Sequence, residues 1–167
     1  MTRIYLDNAA TSWPKPEAVY RAVDHAMREW GVASGRGASR EADDIARMLD
    51  GARRDVAELI NSDSPARVVF TNNGTAALNP AIHGVLRPGD HAICSAADHN
   101  SVLRPLRFLQ AQGVASTIVP CDATGWVDPD AVRRALRPNT RLIALTHASN
   151  VTGCLQDVAA VGRIARA

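Results

Sequence analysis

Three short stretches of this chain carry side chains suited to chemistry. Asn72-Asn73-Gly74-Thr75 follows a β-branched and aromatic run, Val68-Val69-Phe70-Thr71, and leads into apolar residues at helical spacing through Leu78, Ile82, Val85 and Leu86. A strand that turns through such a segment into a helix exposes free backbone N–H groups. It adds the Thr75 hydroxyl and the positive end of the helix dipole, a combination that favours a phosphate. The second stretch, Asp98-His99-Asn100-Ser101, supplies an imidazole, and the third, Ser149-Asn150-Val151-Thr152-Gly153, an amide. A glycine-bracketed arginine, Arg36, adds a positive charge. Each group also has a plain structural reading, and taken alone that reading is the stronger. Asn, Gly and Thr suit any strand-to-helix turn, His99 a cap, Asn150 a turn and Arg36 a solvated loop.

The elements that must position these groups raise the stakes. Residues 1–60 read as an N-terminal segment with two helices, near 16–30 and 39–60. The second has an apolar stripe of Ile45, Leu49, Ala52, Val56 and Leu59. From residue 61 to 167 the chain alternates. Strands are expected over 68–71, 92–94, 117–119 and 142–146. Helices are expected over 75–86, 102–112, 128–136 and 157–167, with Pro and Gly in the turns between. Such alternation predicts an α/β fold with a mostly parallel sheet and flanking helices. In these sheets ligands bind at the carboxyl ends of the strands. Each of the three stretches directly follows a predicted strand, so Gly74, Thr75, His99 and Asn150 are expected in one crevice.

Composition narrows the class. The chain has 167 residues, 46% of them apolar and 22% charged, which fits a globular fold with a real core. A net charge of +2, from 19 basic and 17 acidic residues, is too balanced to suggest nucleic acid or an anionic membrane as partner. No apolar run reaches the length of a membrane span, and the polar residues after Leu6 do not resemble a signal peptide. The three cysteines, Cys94, Cys121 and Cys154, lack metal-ligand spacing. They are expected as buried structural thiols in a reducing, cytoplasmic setting. Lys15 is the only lysine.

The motifs also carry a resemblance. Tyr5-Leu6-Asp7-Asn8-Ala9-Ala10-Thr11 resembles the opening of class V aminotransferase-fold enzymes, the cysteine desulfurases in particular. Gly35-Arg36-Gly37-Ala38 is similar to their glycine-arginine-glycine loop. Residues 70–79 are similar to their phosphate segment, with Ala76 where a glutamate is usual. Asp98-His99-Asn100 resembles their acidic-histidine pair, and Ser149 to Gly153 with Gln156 their asparagine loop. These motifs fall in order across nearly the whole chain.

The resemblance implies the type I aminotransferase large domain with pyridoxal 5′-phosphate as cofactor. Gly74 and Thr75 would hold its phosphate. His99 would stack on its ring as a catalytic residue, and the Asn150 amide would reach its phenolic oxygen. Asn8, Ala9 and Ala10 would line the substrate pocket, with Arg36 near its mouth at a dimer interface. The implied reaction converts L-cysteine to alanine and a persulfide sulfur, with a sulfur acceptor protein and a homodimer when full length. The family's Schiff-base lysine, its pyridine-pairing aspartate, its persulfide cysteine and its carboxylate-binding arginine all follow the asparagine loop, and residues 1–167 match none of them. Lys15, between Pro14 and Pro16, lies at a different point of the chain. The expectation is therefore an incomplete domain, the N-terminal part of such an enzyme, inactive by itself. Two other readings stand beside it. One is another class V activity, such as a selenocysteine lyase, transaminase or epimerase. The other is a non-catalytic phosphate-binding α/β fragment, against which counts the lack of G-x-G-x-x-G and P-loop signatures.

Overall fold

A computed structural model describes residues 4–34 and 39–166. The chain forms two compact units, Met1–Phe70 and Thr71–Ala167.

In the first unit, α1 spans Glu17–Glu29 and α2 spans Arg40–Leu59, close to the expected ranges. The start of α2 follows from its sequence. The Ser39 hydroxyl accepts the Ala42 N–H at 3.2 Å, and Glu41 and Asp43 in the first turn complement the helix dipole. Ala42, Ile45 and Ala57 form its buried stripe. Ahead of the helices, residues 5–13 fold back on themselves. The Tyr5 hydroxyl donates to the carbonyls of Asp7 and Thr11 at 2.9 and 2.8 Å, and the Trp13 N–H donates to Asn8 Oδ1 at 3.2 Å. The Tyr5 and Trp13 rings meet edge-on, 5.5 Å between centroids.

The expected strand over 68–71 does not form. A single 3₁₀ turn, Pro65–Arg67, precedes it. The run after it is extended but joins no ladder among the described residues, and Val69 is 78% exposed. β-branched residues favour extended backbone, but a strand needs a partner for its N–H and C=O groups. None of the described segments supplies one.

The second unit has the expected alternation. Three parallel strands, β1 (His91–Ser95), β2 (Ala115–Val119) and β3 (Thr140–Ile143), pair in the order β2-β1-β3. The helices between and after them are α3 (Gly74–Val85), α4 (Asn100–Gln110), α5 (Pro129–Ala135) and α6 (Val158–Arg166). β1 is buried along its whole length, as the middle strand of a sheet covered on both faces must be. Its residues alternate. Ala92 and Cys94 pack with Ile82 of α3, with Leu86 just after it, and with Val102, Leu106 and Leu109 of α4. Ile93 packs on the other face with Val119, Val127, Val132 and Val161. Each buried Ile, Leu or Val contributes roughly 1.5–3 kcal/mol of transfer free energy. At the amino end of β1 the fully buried His91 bridges all three strands. Its Nδ1 lies 2.8 Å from Thr140 Oγ1, and its Nε2 lies 2.9 Å from Thr117 Oγ1.

Candidate functional site

The amino end of α3 is capped from within. Asn73 Oδ1 accepts the Ala76 N–H at 2.8 Å, and the Thr71 hydroxyl donates to the Asn73 carbonyl at 2.9 Å. The first intrahelical acceptor is filled by Ala77, whose N–H donates to the Asn73 carbonyl at 3.1 Å. The N–H groups of Gly74 and Thr75 and the Thr75 hydroxyl therefore have no acceptor among the described residues. A Cβ placed on Gly74 would meet no atom within 4 Å, so the helix mouth is open.

His99 follows β1 through a short loop and caps α4. Its Nδ1 accepts the Ser101 N–H at 3.1 Å and lies 2.8 Å from the Ser101 hydroxyl. Accepting a backbone N–H leaves Nδ1 unprotonated, so the network assigns the neutral ring's proton to Nε2. The plain reading of His99 as a cap is thus correct. The same residue also lines a cavity of about 470 Å³ with Thr75, Asn79, His83, Arg104 and Phe108. That volume suits a small-molecule site; the cavity runs between α3 and α4, from Thr75 and His99 at their amino ends to His83 and Phe108 near their carboxyl ends.

Asn150 lies in the same unit, on the loop that follows β3. The chain after β3 folds into a tight hairpin, with Ala148 paired to Leu155 and the Ser149 N–H donating to the Cys154 carbonyl at 2.9 Å. The Ser149 hydroxyl oxygen accepts the N–H groups of Val151 and Thr152 at 3.2 and 3.1 Å. Asn150 lies exposed at the tip, its amide without a partner among the described residues. It does not line the 470 Å³ cavity. Asn8, Ala9 and Ala10 belong to the first unit, where they form the turn closed by the Asp7 carbonyl. Arg36 and its flanking glycines lie outside the described residues.

Two buried polar residues hold the loops around the site, and sequence reasoning assigned neither of them that work. Asp98 accepts four hydrogen bonds, two from Ser95 and two from Thr146. Gln156 accepts the Val127 N–H at 2.8 Å and donates to the Gly125 carbonyl at 2.7 Å. The available signal was their position beside His99 and at the end of the asparagine loop. The cysteines meet the expectation of buried thiols only in part. Cys94 is buried, and that burial, with the Asp98 carboxylate adding to it, pushes its thiol up to about 11. Cys121 and Cys154 are only partly covered, because both lie in connecting segments outside the helices and strands.

The family model of the class V aminotransferases matches residues 4–167. The chain belongs to the class V aminotransferase family. It is 38% identical over 163 residues to a probable cysteine desulfurase of Methanothermobacter thermautotrophicus, covering 97% of this chain and 40% of that protein. The apo structure of a cysteine desulfurase from Thermococcus onnurineus superposes with a TM-score of 0.88 at 28% identity, over 98% of this chain and 41% of that one. A structure described as SspA in complex with cysteine gives 0.87 at 28% identity, over 97% of this chain and 47% of the other. The chain thus spans about two-fifths of the length of curated relatives it matches. Class V aminotransferases are pyridoxal-phosphate-dependent. The open donors of Gly74 and Thr75 at the α3 dipole fit the phosphate of that cofactor in number, sign and direction. No helix among the described residues is long and apolar enough to cross a membrane.

Proposed function

We propose that this chain forms the cofactor-holding part of a pyridoxal-phosphate cysteine desulfurase. The observation that carries the reading is that Thr75, in α3, and His99, the cap of α4, line one cavity beside a helix mouth whose donors are unfilled. In this proposal Gly74 and Thr75 hold the phosphate through two backbone N–H groups and a hydroxyl. His99, its ring fixed through Nδ1 by Ser101, presents a flat face to the pyridine ring. The Asn150 amide donates to the phenolic oxygen. Asn8, Ala9 and Ala10 line the substrate pocket, and Arg36 lies at its mouth. The cofactor, when bound, supplies an electron sink for bonds at the α-carbon of the amino-acid substrate. L-cysteine as substrate is supported by the names of the relatives and by the cysteine complex among similar structures. A sulfur acceptor protein, a homodimer and a cytoplasmic location belong to the same proposal.

The test uses the natural full-length protein. Pyridoxal phosphate is titrated in while absorbance is followed, and alanine and sulfide are then measured with cysteine as substrate. Thr75→Val removes one hydrogen bond to a charged group, worth roughly 1.5–3 kcal/mol, so cofactor affinity should fall about tenfold or more. Saturable binding that Thr75→Val weakens, with alanine and sulfide in equal amounts, supports the reading. Binding that Thr75→Val leaves unchanged, or amino transfer to a keto acid without sulfide, overturns it.

A further inference from the structure

Asp98 is 6% exposed, and no arginine, lysine or histidine among the described residues forms a salt bridge with it. Four donors meet its carboxylate instead. Oδ2 accepts the Ser95 N–H at 2.7 Å and the Ser95 hydroxyl at 2.8 Å. Oδ1 accepts the Thr146 N–H at 2.6 Å and the Thr146 hydroxyl at 2.7 Å. The first pair closes a local turn, which any short acid after a strand could do. The second reaches 48 residues along the chain to the far side of the strand pair.

The positions of these partners matter more than their number. Ser95 is the last residue of β1, and Thr146 follows the end of β3 and immediately precedes the loop that carries Asn150. Asp98 itself immediately precedes His99. One buried side chain therefore joins the segment holding the imidazole to the segment leading to the amide. Only a carboxylate serves here, because it offers acceptors on both oxygens and no donor. An amide at this position would turn its NH₂ against one of the two backbone N–H groups, whichever way it was flipped.

We infer that Asp98 is a positioning residue of the site, setting His99 against the loop of Asn150 by holding Ser95 and Thr146 on its two oxygens. The inference rests on the cofactor reading above and deepens it. Asp98 touches neither cofactor nor substrate in this account; it acts through His99 and the 147–156 loop.

The experiment uses the natural full-length protein and compares Asp98→Asn, which keeps the shape, with Thr146→Val, which removes a single hydroxyl and leaves the other three bonds. Val132→Ala, in the core on the other face of the sheet, controls for a plain loss of stability. Three quantities are read: the melting temperature, the ring resonances of His99 and amide resonances of Asn150 without cofactor, and the affinity and visible circular dichroism of bound pyridoxal phosphate. Asp98→Asn should weaken cofactor binding about tenfold or more and change the dichroism, since a charge-assisted hydrogen bond is lost. Thr146→Val should move both in the same direction by less. Both should shift the His99 and Asn150 resonances, and Val132→Ala should lower the melting temperature alone. If Asp98→Asn and Thr146→Val behave like Val132→Ala, the inference is overturned and Asp98 is only structural. If the wild-type protein binds no pyridoxal phosphate, the cofactor reading falls. The resonances of the cofactor-free protein then decide the positioning inference by themselves.

Discussion

Gln156 offers a sharp test of how the 147–156 loop is held. Its side chain is 5% exposed, and it satisfies two backbone groups that water does not readily reach, the N–H of Val127 and the carbonyl of Gly125, both in buried residues. Gln156→Met keeps the length and nearly the shape but offers neither group a partner. Each buried group left unpaired costs roughly 1–3 kcal/mol. The pair therefore predicts a loss of about 2–6 kcal/mol, and about 1–3 if water reaches one of them. For a chain of this size the loss of both bonds is a fall of roughly 4–24 °C in melting temperature. Gln156→Ala removes side-chain packing as well and should be only slightly worse than the Met variant. The assay is urea unfolding of the three proteins, read for midpoint and slope, with hydrogen exchange at Ser149 and Gly153 in parallel. Exchange there should quicken in both variants, because Gln156 anchors the hairpin at its base. If Gln156→Met lies within about 1 kcal/mol of wild type while Gln156→Ala falls far below, packing and not hydrogen bonding holds the loop. The reasoning would then be wrong.

Three further outcomes follow from the same structure. Burial, and then the charge of Arg137, hold the His91 imidazole below its ordinary value of 6.5, so the unfolded chain binds this proton more readily than the folded one. The stability His91 contributes is present above pH 6.5 and is lost as pH falls below it towards the lowered folded value. His91→Phe should therefore flatten the dependence of melting temperature on pH between about pH 7 and about pH 5, and an unchanged slope would refute this. Cys94, buried and pushed up to about 11, should react with a thiol reagent only as fast as the fold opens. Cys121 and Cys154 should react first, and three equal rates would count against the structure. In a polypeptide of residues 1–167 the Lys15 ammonium is engaged by Thr11 Oγ1 at 3.3 Å and the Ser12 carbonyl at 2.9 Å. Borohydride reduction in the presence of pyridoxal phosphate should leave Lys15 without stoichiometric label, and cysteine should release no sulfide above the free-cofactor background. Full labelling together with sulfide release would reverse that expectation.

What the sequence made legible was local. Helical periodicity and the turns before each helix place α2, α3 and α5 to within a residue or two, because a helix start is set locally: in the structure Ser39, Asn73 and Asp128 each cap an N–H within three residues. The three paired strands were legible as short β-branched runs between turns. The run at 68–71 has the same composition and forms no strand, since pairing depends on a partner that no local pattern reports. His99 was legible both as a cap and as a site residue, and it is a cap that also lines the cavity. The work of Asp98 and His91 was not legible. Their partners Thr146, Thr117 and Thr140 lie 48, 26 and 49 residues away, and only the strand order brings them close.

That strand order also sets two polar side chains, His91 and Asp98, at and just beyond the two ends of β1, each bonded across to the β3 segment. The strands are four or five residues long, and β3 meets β1 irregularly: His91 pairs with Thr140, but Ala92 pairs with Leu142. The stagger falls where the His91 ring bonds the Thr140 hydroxyl. Beyond it the register is regular, and Thr146 arrives under Asp98. A slip of one residue in β3 would shift the chain that follows it and carry Thr146 away from Asp98. Oδ1 of Asp98 would lose its hydroxyl partner, and the loop of Asn150 would leave the sheet at a different angle. His91 and Asp98 thus pin the same register from opposite ends of a strand roughly 13 Å long, at about 3.3 Å per residue. The geometry of the crevice depends on both pins, although only one of them is near it.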